Sequence, residues 1–73
     1  MNEREQMTLD MVKNLALLLM DANHNLSMEQ ALSIVFNSNT YQLLLNDRTR
    51  LYYQSPRYVY SFLENEVRIG SVK

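Results

Sequence analysis

Seventy-three residues, 47% of them apolar, with a net charge of −1, one Gly, one Pro and no Cys, describe one small domain. The absence of Cys excludes a disulfide framework and a thiolate metal site, and His24 alone cannot build a zinc centre. A core this small leaves only a few kcal/mol of net stability, so self-association is the remaining support and a homodimer is expected.

The chain opens on Asn2-Glu3-Arg4-Glu5-Gln6, mixed in charge rather than basic, which argues against an export leader. Its longest unbroken apolar run, Leu15 to Met20, has six residues, against the roughly 20 needed to cross a bilayer. We therefore expect no membrane partner and a cytoplasmic location, which the lack of Cys suits. Few chain breakers favour helix over a turn-rich β fold.

The first predicted helix runs from about Arg4 to Asn23. Met7, Met11, Leu15, Leu18 and Ala22 form one apolar stripe, widened by Leu9, Val12, Ala16 and Met20. Asp10, Asn14 and Asp21 mark a polar strip, and Leu17 falls inside it. So wide an apolar surface belongs to a helix that is central in its fold or shared with a second subunit. Asn23-His24-Asn25 then breaks the pattern, Asn being tolerant of left-handed backbone at a helix exit.

Ser27-Met28-Glu29-Gln30 is a capping-box signature: the Ser27 oxygen accepts from the Gln30 amide while the Gln30 side chain reaches back. The helix it opens, to about Asn37, places Met28, Ala31, Leu32, Val35 and Phe36 on one face. Ser38 caps a short third helix from Thr40 to Leu45, in which at least two of the three leucines are expected to be buried. Asn46-Asp47 ends it, and residues 48–54 suit either an extended piece or a helical turn. Ser55 at the N-cap and Pro56 at N1 start the last helix, with Val59, Phe62, Leu63 and Val67 as its stripe, Tyr58 extending it and Gly70 as its stop. The expected fold is all-α: a single domain over residues 1–73, ordered over about 5–69, with about four helices packed as a compact bundle, one of them short.

Charge is unevenly spread. Residues 1–47 carry six acids and two bases, whereas residues 48–73 carry five bases and two acids, so −4 faces +3. Arg48, Arg50 and Arg57 stand beside Tyr52, Tyr53, Tyr58 and Tyr60, a mixture that serves interface anchors as well as phosphate pairing with base stacking. Nucleic-acid binding through Arg48, Arg50 and Arg57 is the alternative reading. It is disfavoured by a pI near 5.7 and by a third helix that is Leu-rich and lacks Lys and Arg. Catalysis has less support. No Ser has a His-Asp neighbourhood, no Gly-rich loop exists, and Glu64 and Glu66 lie two apart on a helix and diverge. No cofactor is expected.

Three groups of residues carry a resemblance. They are Ser27-Met28-Glu29-Gln30-Ala31; then Asn37-Ser38-Asn39-Thr40-Tyr41; then Leu51-Tyr52-Tyr53-Gln54-Ser55-Pro56-Arg57-Tyr58-Val59-Tyr60, closed by Leu63 and Glu66. The pattern, over about residues 8–66, resembles a family of small bacterial helical proteins with Ser-x-Thr-Tyr and Leu-Tyr-x-x-Ser-Pro-x-Tyr motifs. The resemblance implies an accessory or antitoxin-like partner, since related proteins are often encoded beside ADP-ribosyltransferase-like or other toxin-like genes; it brings no catalytic residues. The function expected is protein–protein interaction. Arg50, Tyr53, Arg57 and Tyr60 are the expected exposed, partner-binding members of the aromatic-basic segment, and Leu51, Tyr52 and Val59 are expected to face inward.

Overall fold

The computed structural model describes residues 3–68. Four α-helices and one 3-10 turn follow in order: α1 (Glu3–Ala22), α2 (Met28–Phe36), α3 (Asn39–Leu45), the turn Leu51–Tyr53, and α4 (Pro56–Arg68). No strand occurs among the described residues, so the fold is all-α. The expected stop at Gly70 and the outer limit of order at residue 69 lie outside the described residues.

Local chemistry sets the helix starts. Ser27 and Gln30 form both halves of the capping box, at 3.1 Å for the Gln30 amide to Ser27 Oγ and 2.9 Å for the Ser27 amide to Gln30 Oε1. Ser38 Oγ accepts from the Tyr41 amide at 3.0 Å, and Ser55 Oγ from the Tyr58 amide at 3.2 Å. Each supplies an acceptor to an amide that has no intrahelical partner. The exit from α1 differs from expectation. Asn23 ends it through an Asx turn, its Oδ1 accepting from the Asn25 amide at 3.1 Å. Left-handed backbone is confined, among the described residues, to Arg50. The side-chain acceptor makes the left-handed geometry unnecessary.

α1 is the spine, packing against α2, α3, the 3-10 turn and α4. It buries Met11, Val12, Leu15, Ala16 and Leu19, and onto these close Ala31, Val35, Leu44, Leu51, Tyr52, Val59 and Leu63. Every buried side-chain nitrogen or oxygen among the described residues has a hydrogen-bond partner. The Cα radius of gyration, 11.5 Å, is close to the ~11 Å expected of a folded chain this long. Exposed apolar side chains therefore do not reflect a loosely collapsed chain.

Three burial expectations are corrected. Leu44 alone of the three α3 leucines is buried, with Leu43 and Leu45 both more than 40% exposed. A seven-residue helix turns one narrow face to the core, and the i, i+4 pair Thr40 and Leu44 occupies it. On α4 the buried face is Val59, Leu63 and Glu66, so Tyr58, Phe62 and Val67 are exposed rather than part of the buried stripe. On α2, Met28 and Phe36 likewise stay exposed while Ala31 and Val35 are buried.

Candidate interaction surface

The segment between α3 and α4 folds around its own side chains. Thr49 Oγ1 donates to the Leu43 carbonyl at 2.6 Å and sits 2.9 Å from the Asn46 carbonyl, while Asn46 Oδ1 accepts from the Arg48 amide. Arg50 then takes φ 53°, ψ 27°, a left-handed conformation that costs a residue with a Cβ roughly 1 kcal/mol. This reversal launches the 3-10 turn, in which Leu51 and Tyr52 are buried and Tyr53 is 61% exposed. Residues 51–53 are thus a helical turn and not an extended lead-in, yet Tyr52 and Tyr53 still diverge in burial as expected.

A short polar chain anchors this segment to α1. The Tyr52 hydroxyl donates to Asp47 Oδ1 at 2.8 Å, and the same oxygen lies 3.2 Å from an Arg4 guanidinium nitrogen. The Tyr52 hydrogen bond, reinforced by the positive charge of Arg4 and Arg50 and partly opposed by burial, holds the Asp47 carboxyl below its usual range. The same hydrogen bond raises the Tyr52 phenol.

Of the four residues expected at the surface, Arg50, Tyr53 and Arg57 are exposed. Tyr60 is a correction. It is half-buried, packs against the core, and lines a hollow with Leu19, Ala22, Leu26, Ile34 and Val67. Burial, helped by the nearby Glu64 and Asp21 charges, raises its phenol above the ordinary value. Nor do the four make one patch. Arg50 stands at the Arg4–Asp47 end of α1, whereas Arg57 lines a hollow with Asn14, Leu17, Leu18, Asp21, Ser55 and Pro56. From Arg4 to Leu17 is roughly 20 Å along the helix axis.

The aromatic pair that does reach solvent is Tyr58 and Phe62, stacked edge to face at 5.3 Å and 50% and 39% exposed. Sequence reading placed both in the apolar stripe. The signal it missed is Val59-Leu63-Glu66, an i, i+4, i+7 stripe that admits an acid and pushes Tyr58 and Phe62 onto the flank.

Glu66 itself was not expected inside. Its carboxylate accepts from the Asn39 amide at 2.6 Å, the Thr40 amide at 3.0 Å and the Thr40 hydroxyl at 2.8 Å. With Ser38 satisfying Tyr41, the first three amides of α3 are all bonded. α3 carries no acid in its first turn, and α4 supplies the negative charge its N-terminus favours. Glu64, two residues away, is exposed, as the divergence of positions two apart on a helix requires.

No group of His and acidic residues suited to a metal ion occurs among the described residues, and no helix among them is long and apolar enough to cross a membrane. Set against family models, curated proteins and solved structures, the chain finds no match.

Proposed function

We propose that this chain is a protein–protein interaction module, an accessory or antitoxin-like protein that works as a homodimer and presents Tyr53 and the Tyr58–Phe62 pair to a second protein. One observation carries the reading. Among the described residues twelve apolar side chains form the core, and ten large ones are exposed. Contiguous exposed apolar surface marks places where partners dock, and Tyr58 and Phe62, stacked edge to face and both exposed, form such a piece of surface. Tyr suits the role because it buries large area and keeps a hydrogen-bonding tip. The accessory role is supported by the resemblance to small helical proteins encoded beside toxin-like genes.

The test is a binding assay with proteins encoded beside this chain in its native genome, run on wild type and on Tyr53→Ala/Tyr58→Ala, two positions outside the hollow that Arg57 lines. Both residues are exposed, so the double variant should keep its stability to within about 0.5 kcal/mol per site. It should weaken a partner by about 2 kcal/mol or more. Unfolding of the double variant, or unchanged binding, defeats the assignment. If the surface instead holds nucleic acid through Arg48, Arg50 and Arg57, the same proteins will retain an oligonucleotide with an affinity that falls steeply with salt.

A further inference from the structure

α1 carries a second stripe besides the one that fills the core. Asn14, Leu17, Leu18 and Asp21 follow the i, i+3, i+4, i+7 spacing that brings residues to one side of a helix. With Ser55, Pro56 and Arg57 they line an open hollow of about 470 Å³. Leu17 is 46% exposed within it, against complete burial of Leu15 two residues earlier. Asp21 and Arg57, both exposed, form no ion pair with a described residue.

We propose that this hollow is the contact between two copies of the chain, related by a two-fold axis passing between Leu17 and Leu18, with the two α1 helices running in opposite directions. The inference rests on the reading that the chain self-associates, and adds the face and the orientation.

Charge decides the orientation. Asn14 and Asp21 each lie three and a half residues from the midpoint of Leu17 and Leu18, roughly 5 Å along the axis. Opposite directions set the Asn14 amide of one copy against the Asp21 carboxylate of the other, a donor against an acceptor, twice. Running the helices in the same direction would set Asp21 against Asp21, like charges in a desolvated contact. Arg57 adds a cation on the rim of the same hollow for the Asp21 of the opposite copy.

The centre of the patch, Leu17, Leu18 and Pro56, has no charge, as the middle of an interface requires, and charged or polar groups ring it. A two-fold contact must be self-complementary, because the same patch serves both sides. Along α1 this one is: donor, apolar centre and acid, set against their own reverse, pair each donor with an acid. A basic or an acidic partner of another kind would meet one like charge here, at Arg57 or at Asp21. The hollow beside Arg4 and Leu45 lacks this property, since Arg4 already pairs with Asp47.

Because the chain has no Cys, single cysteines report the contact without background. Under mild copper-catalysed air oxidation, Leu17→Cys should form a disulfide dimer well ahead of the exposed control Tyr53→Cys. Asn14→Cys mixed with Asp21→Cys should cross-link to each other faster than either does to itself, since a disulfide needs Cα atoms within about 7 Å. In sedimentation, Asp21→Arg should weaken the dimer by about tenfold or more, and Asp21→Arg/Arg57→Asp should recover most of that loss. Both changes are at exposed positions, and circular dichroism checks that the variants are folded. A wild-type chain monomeric at every concentration overturns both this proposal and the reading beneath it. A dimer that tolerates Asp21→Arg, or cross-links through Tyr53→Cys as fast as through Leu17→Cys, overturns this face and leaves self-association standing.

Discussion

Glu66 shows what one inward acid does in a chain of this size. It joins α4 to the start of α3 through three hydrogen bonds spanning 26 or 27 residues, while its neighbours on the same face are fully buried aliphatics. Removing the carboxylate strands two amides and a hydroxyl that water reaches poorly. Glu66→Ala should therefore cost about 2–4 kcal/mol in denaturant unfolding, and Glu66→Gln, which keeps one acceptor, about half as much. An equal loss in both would point to charge at the helix terminus, rather than the number of hydrogen bonds, as the main contribution. Asp47 and Tyr52 give a second, pH-dependent case. Asp47 sits below its ordinary 3.8 in the fold, so its contribution is present above that value and is lost as pH falls through the lower folded one. Tyr52 sits above its ordinary 10.0, so its contribution holds below that value and is lost as pH rises through the higher folded one. The stability difference between wild type and Tyr52→Phe should consequently be flat from about pH 5 to pH 9 and shrink at both ends. A difference that keeps growing toward acid would contradict the Asp47 assignment.

At the scale of elements, α3 separates composition from placement. Three consecutive leucines invite the inference of deep burial, yet a helix of seven residues turns only Thr40 and Leu44 to the core. Leu44→Ala should cost about 2–5 kcal/mol, as filled core positions do. Leu43→Ala and Leu45→Ala, in the monomer, should each stay within roughly 0.5 kcal/mol. Thermal or urea unfolding of the three variants checks the ordering directly. If Leu45→Ala approaches Leu44→Ala, the hollow it lines with Leu9 and Tyr41 is closed more tightly in solution. The 3-10 turn makes a complementary point. Its geometry depends on Arg50 holding a left-handed conformation, so Arg50→Val, β-branched and poorly suited to positive φ, should lower stability by about 1–2 kcal/mol. Arg50→Gly should not.

For the whole molecule, the decisive quantity is mass in solution. An 8.6 kDa chain that, among its described residues, buries twelve apolar ones and exposes ten large ones should sediment as a dimer at micromolar concentration. Ideal monomer behaviour at high concentration would end the self-association reading. The charge split between the two halves is less separate in space than in sequence. Arg50 acts on the Asp47 carboxyl, and Arg57 shares a hollow with Asp21. Among the described residues, charge is consequently mixed in space rather than arranged as a two-ended dipole.

The helix starts at Ser27, Ser38 and Ser55-Pro56 follow from the chain alone, because a cap is a hydrogen bond reaching three residues and needs nothing from the rest of the fold. The helical class follows too, from periodicity and the scarcity of breakers. Which side of each helix faces inward was settled by packing. α1 is apolar over most of its circumference; its pattern set Leu17 in the polar strip, where it is exposed, but put Leu9 and Ala22 in the apolar stripe, and the placement of the other elements left both exposed and buried Leu19 instead. Tyr58 and Tyr60 exchanged their expected environments for the same reason, once Val59, Leu63 and Glu66 had taken the inner face of α4. The inward turn of Glu66 and the left-handed Arg50 depend on donors and turns that close only when distant segments meet. Those are tertiary facts, because the free energy that stabilises them comes from groups far apart in the chain.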